Sequence, residues 1–167
     1  MIEAYRDLTF FKSNPVNSYY IIDELCPLDR IIFEKTLAKY GKIRKAYQQI
    51  RLIDAEGSEQ LKINFDKDSI HINRNLEDKS SRYYFKGVQK TQENALYISR
   101  FDLSMEGGKV VEPLTPVLRI GTPLFQEGTR QGYLLLNYKG DAIASRRFKF
   151  LAESNYGTEP TYTHREK

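Results

Sequence analysis

Residues 47–65 read YQQIRLIDAEGSEQLKINF, and this stretch decides the fold. Ile50 and Leu52 share one face of a period-two run, and Leu61, Ile63 and Phe65 alternate in a second run. DAEG (54–57) lies between them as a hairpin signal. Two alternating runs about a tight turn predict antiparallel strands. Working outward, DKDS (66–69) is the next turn and IHIN (70–73) a third short strand. RYYFKGVQKTQ (82–92) breaks the alternation and reads as a short helix or an ordered loop. ALYISRFDL (95–103) is read as a strand, and MEGGKVVEPL (105–114) as a hairpin turning at Gly107-Gly108. TPVLRIGTPLF (115–125) is a strand bounded by Pro116 and Pro123; QEGTRQG turns, and YLLLNYKG (133–140) is the last strand.

Ahead of the sheet the period is helical. Pro27 suits a first helical position. Phe33, Leu37 and Tyr40 recur at i, i+4, i+7, so they share a face, and Gly41 reads as the stop. SNPVNS (13–18) separates this helix from a weaker one over 3–11. Residues 141–153 suit a short helix, and 154–167 are polar and aperiodic. Helices segregated from strands in this order give an α+β class with an antiparallel sheet.

Composition narrows the function. Across 167 residues, 40% are hydrophobic and 29% charged, enough for one core and too apolar for a disordered chain. The net charge of +4 is far from the dense basic field of a nucleic-acid binder, so none is expected as a partner. One cysteine (Cys26) and two histidines (His71, His164) leave no disulfide framework and no multi-Cys or His-rich metal site; a packing thiol is the ordinary reading of Cys26. No run approaches the roughly 18–20 apolar residues that cross a bilayer. The acidic start, with Glu3 and Asp7, is not that of a signal peptide. Nucleophile, Walker and zinc motifs are absent, so no catalytic residue, metal or cofactor is expected.

The candidate binding residues are Arg82, Tyr84, Tyr97, Ser99, Asp102 and Arg119. RYYF sets three aromatics after an arginine outside a strand; a guanidinium fork takes a carboxylate and tyrosine offers a ring with a polar tip. The plainer reading is an aromatic core plug beside a surface arginine. In ALYISRFDL, Tyr97, Ser99 and Phe101 share a face and Asp102 ends the strand. Arg119 sits opposite Leu118 and Ile120 in a central strand, so burial obliges it to find a partner: Asp102, Glu112 or an anionic ligand.

QIRLID, RYYF, YISRFDL and PLTPVLRIGTP together resemble the Cache (PDC, PAS-like) sensor domains, over roughly 47–144. They look most like the membrane-distal module of double-Cache sensors on bacterial histidine kinases and diguanylate cyclases. The resemblance implies a five- or six-stranded antiparallel sheet with a long N-terminal helix packed on it. It divides the chain into a helical segment (1–45), the sensor module (46–144) and a tail or linker (145–167). It implies an extracytoplasmic module that has no catalysis of its own. Such a module binds a small ligand (an amino acid, carboxylate or other metabolite) and relays the signal through membrane helices outside this chain. A homodimer through the N-terminal helix is a further partner of that architecture, and a ligand-free dimerisation or interaction scaffold is the alternative function. Amino-acid-binding relatives carry R-x-W-Y. Here Arg82 matches the arginine, while Tyr84 and Phe85 replace the Trp and Tyr, a departure that removes the indole and one hydroxyl. Arg119 belongs to the pattern P-x-x-R-x-x-T-P.

Overall fold

A computed structural model describes residues 2–67, 69–106, 109–110 and 112–140. Three helices come first: α1 (Ile2–Lys12), α2 (Val16–Ile21) and α3 (Pro27–Arg44). The long N-terminal helix expected from the resemblance is α3, with the shorter α1 and α2 ahead of it. Pro27 opens α3, and Cys26 caps it, its Sγ accepting the Asp29 amide at 3.4 Å. The thiol is therefore exposed rather than packed. Gly41 does not stop the helix. It lies inside it because the Phe65 ring occupies the place of a Cβ, whose nearest ring atom would be 2.2 Å away. The stop is Lys45 in the left-handed region, its amide bonded to the Gly41 carbonyl.

The meander follows as β1 (Tyr47–Asp54), β2 (Glu59–Phe65) and β3 (Ile70–Asn73). Asp54 fixes the first turn, its Oδ1 accepting the amides of Glu56, Gly57 and Ser58. α4 (Tyr83–Gln89) crosses the sheet. The run 95–103 is not one strand. It yields two short ones, β4 (Tyr97–Ile98) and β5 (Asp102–Leu103), because Ser99 interrupts the ladder. The Ser99 amide donates to the Arg119 carbonyl at 2.8 Å, but the Arg119 amide donates to Ser99 Oγ at 3.0 Å, so a hydroxyl takes the next ladder bond. Phe101 consequently points out, 57% exposed, rather than sharing a buried face with Tyr97.

β6 (Met105–Glu106) pairs β7 (Lys109–Val110); Gly107 and Gly108, read as their turn, lie outside the described residues, as do 141–167. β8 (Pro116–Gln126) and β9 (Thr129–Lys139) form the long hairpin. The sheet order is β3-β2-β1-β9-β8-β4, antiparallel throughout, with β5 on the same edge of β8 as β4. That is six strands in line and a seventh beside them, one more than expected. The fold is α+β and PAS-like.

Alternation divides the sheet. Ile50, Leu52, Leu61, Ile63, Ile120, Leu124, Leu134 and Leu136 pack with Leu8, Phe11, Phe33 and Leu37 of the helices into the main core. The opposite face carries a smaller cluster in which Tyr84, Phe85 and Val88 of α4 meet Ile53, Tyr133 and Leu135.

Candidate functional site

Beyond that smaller cluster the α4 face turns polar. Register aligns Lys62, Arg51 and Leu135 across three strands, and Gln49, Asn137 and Arg119 across three. Arg51 and Arg119 are each 3% exposed, and Lys62 1%. Charges this deep need partners. Arg51 donates to the Tyr84 hydroxyl at 3.1 Å and to Gln49 Oε1, and its Nε lies 3.3 Å from Glu59 Oε1. Asn137 Nδ2 also donates to Gln49 Oε1, at 2.8 Å. Lys79 bridges Glu77 (2.7 Å) and Glu59 (3.9 Å), and Lys62 lies 3.9 Å from Glu77. The hydrogen bond from Lys79 holds the Glu77 carboxyl below its ordinary range.

At the β8 edge a second constellation forms around the start of α4. Arg82 is its extended N-cap residue, so Tyr83 and Tyr84 begin the helix and diverge by about one-quarter turn. The Tyr83 hydroxyl donates to Asp102 Oδ2 at 2.9 Å and accepts from Arg119 Nη1 at 3.3 Å. Arg119 Nη1 lies 3.6 Å from Asp102 Oδ2, and Nη2 donates to the Leu103 carbonyl at 3.3 Å. Its guanidinium sits 4.8 Å from the Tyr84 ring centroid, while Arg100 lies 4.5 Å over the Tyr83 ring. Arg119 Nε is buried with no hydrogen-bond partner among the described residues. Partial burial pushes the Asp102 carboxyl up, but the Leu103 amide, the Tyr83 hydroxyl and Arg119 outweigh it and hold it below the ordinary range. Tyr97 packs its ring where a Cβ of Gly87 would stand. Burial first, then Tyr83, raises its hydroxyl pKa, against Arg119 and Arg100.

The structure thus brings Tyr84, Tyr97, Asp102 and Arg119 together. Ser99 braces the backbone beneath them, its own hydroxyl donating to the Arg100 carbonyl at 2.7 Å. Arg82 stands apart, half-buried, its guanidinium donating to Met105 Sδ at 3.4 Å. Of the partners expected for Arg119, Asp102 is the one in place. Two residues escaped the sequence reading. Tyr83, not Tyr84, reaches Asp102. Arg51 carries the signal that singled out Arg119, a cation flanked by Ile50 and Leu52 in a central strand.

The sequence profile of the family described as "Bacterial histidine kinase, sensor domain" matches residues 22–156. The chain belongs to this family. No curated protein matches the chain. Among solved structures, a domain of a sensory box/GGDEF family protein from Vibrio parahaemolyticus superposes with a TM-score of 0.71 at 29% identity, covering 82% of this chain and 55% of that one. The extracellular domain of a protein described as a histidine kinase gives 0.73 at 28% identity, covering 86% and 55%. The ligand-binding domain of the Campylobacter jejuni chemoreceptor Tlp3, in complex with 4-methylisoleucine, gives 0.49 at 14% identity, covering 83% and 56%. The chain spans about half the length of these structures. It is a signal-transduction sensor domain of the histidine kinase type. No helix among the described residues is long and apolar enough to cross a membrane.

Proposed function

We propose that this sensor domain works outside the cytoplasm and binds a small anionic ligand, a carboxylate, on the α4 face of the sheet. The ligand's negative group meets Arg119 and draws Arg82 in from its place beside Met105, its body stacks against Tyr83, Tyr84 and Tyr97, and Asp102 accepts from any ligand amine or hydroxyl. Ser99 holds the strand in register beneath. The observation that carries the reading is the imbalance of partners around these arginines. Among the described residues, Arg119 has a buried Nε without a hydrogen-bond partner, and the side-chain acceptor that Arg82 meets is a thioether, a weak one. A carboxylate supplies the acceptors both lack. Binding would tighten β4, β5 and α4 against β8, and membrane segments beyond this chain would carry the change to an output domain, a histidine kinase or a diguanylate cyclase.

A thermal-shift panel of carboxylates, amino acids, amines and purines tests this. The expected result is a saturable, concentration-dependent rise in Tm with one or more carboxylates, through binding linkage. Arg82→Ala should abolish the rise and leave the unliganded Tm within a few degrees, since the guanidinium's partner among the described residues is the Met105 thioether. A flat panel favours a second reading, a ligand-free dimerisation scaffold. Leu28, Ile31 and Ile32 support that reading, since they leave one stretch of α3 apolar and 45–64% exposed.

A further inference from the structure

We propose that Arg100 sets the charge of the ligand, so that the arginine constellation takes a dianion, a small dicarboxylate, in preference to a monocarboxylate. This role rests on the carboxylate site under α4 and extends it outward from Arg119. Arg100 lies between β4 and β5 and is exposed. Its guanidinium stands 4.5 Å over the Tyr83 ring, and among the described residues it has no hydrogen-bond or ion-pair partner. An aromatic face thus holds in place five N–H donors that the protein leaves unused.

Tyr83 relates the two arginines. Its hydroxyl accepts from Arg119 Nη1 at 3.3 Å, while Arg100 covers its ring. One rigid side chain, on a residue 37% exposed, therefore carries an inner cation at its hydroxyl end and an outer cation on its face. A short extended ligand lying along Tyr83 presents one carboxylate to each. Both cations act on the same neighbours. Burial raises the Asp102 carboxyl, but the Leu103 amide, Tyr83, Arg119 and Arg100 hold it below its ordinary range. Burial and then Tyr83 raise the Tyr97 hydroxyl, against Arg119 and Arg100. Charge decides the ligand class. Among the described side chains, Arg82, Arg100 and Arg119 face one carboxylate, Asp102, so two of their three positive charges stay uncompensated. A monocarboxylate leaves one over and a zwitterion leaves both, whereas a dicarboxylate balances them.

The test is calorimetric titration of the chain at neutral pH with succinate and glutarate, each against its half-amide. The members of each pair match in heavy-atom number and differ by one negative charge. The expected result is that a dicarboxylate binds roughly tenfold more tightly than its half-amide, the worth of about one hydrogen bond to a charged group. Arg100→Gln should bring the dicarboxylate down to the affinity of the half-amide and leave the half-amide within about twofold. Raising the salt from about 0.01 M to about 1 M shortens the screening length from about 30 Å to about 3 Å, and should close most of the gap within each pair. Equal affinities within both pairs, or an Arg100→Gln loss that falls equally on both members, would overturn the proposal and leave the carboxylate site standing. So would a panel in which monocarboxylates alone bind. If no carboxylate binds at all, the site under α4 falls, and the role of Arg100 with it. The comparison on the unaltered chain decides the matter even if Arg100→Gln fails to fold.

Discussion

Asp102 sits where three favourable contacts, from the Leu103 amide, Tyr83 and Arg119, outweigh partial burial. Its carboxyl therefore titrates below the ordinary value of 3.8. A carboxylate with a depressed folded pKa contributes stability that is complete above the unfolded value and lost as pH falls through the folded one. A ¹³C titration of the side chain should place its midpoint below 3.8, and Tyr83→Phe should move it upward; an unmoved midpoint would remove Tyr83 from the account. Gly41 gives a second test at this scale. An alanine there gains about 1 kcal/mol of helix propensity. It also drives a methyl into the buried Phe65 ring. Overpacking of that kind costs roughly 1–3 kcal/mol, so urea unfolding should find Gly41→Ala destabilised or at best neutral. The sequence reading took this glycine for a helix stop because spacing along one helix cannot reveal a ring arriving from β2. It took Cys26 for a packed thiol because composition says nothing of a cap.

Asp7 is where the elements meet. It lies on α1, 2% exposed, and accepts from Tyr40 and Arg44 of α3, Tyr47 of β1 and Tyr138 of β9. One carboxylate thus ties the first helix to the two central strands. Removing it would leave three hydroxyls and a guanidinium short of an acceptor. Asp7→Ala should lower stability by roughly 3–5 kcal/mol, read as a drop in urea midpoint at constant slope. Burial, chiefly, raises the hydroxyl pKa of Tyr47 and Tyr138, and Asp7 adds to it. A raised folded pKa stabilises fully below the ordinary value and is lost as pH rises through the folded one. Both hydroxyls should stay protonated above pH 10 until the protein unfolds, as ultraviolet absorbance at tyrosinate wavelengths would report. The strands about these contacts were legible, since Ile50–Leu52, Leu61–Phe65 and the β8–β9 run keep a period of two. The run 95–103 was not, because Ser99 substitutes a side-chain bond for a ladder bond, and periodicity is blind to that exchange.

Across the whole molecule, the sheet separates two environments. The helical side is mainly apolar, with the buried carboxylates Asp7 and Glu34 held by tyrosines and arginines, and the α4 side carries buried Arg51, Lys62, Lys79 and Arg119 against buried Glu59 and the partly exposed Glu77 and Asp102. An arginine between apolar neighbours was the signal that made Arg119 visible. The same signal at Arg51 passed unread beside the stronger hairpin pattern. Tyr83 could not be told from Tyr84 before the helix start was fixed at Arg82. The sensor reading rests on the family to which residues 22–156 belong, and the ligand class on the arginines at the β8 edge. The most direct measurement is a ¹H–¹⁵N correlation of the arginine side chains during titration with the carboxylate that most raises Tm. The account predicts that the Arg82 and Arg119 Nε–H signals move together and saturate with one Kd, which Arg82→Ala weakens at least tenfold. A panel in which no carboxylate binds, or a bound carboxylate that leaves both signals in place, would contradict it.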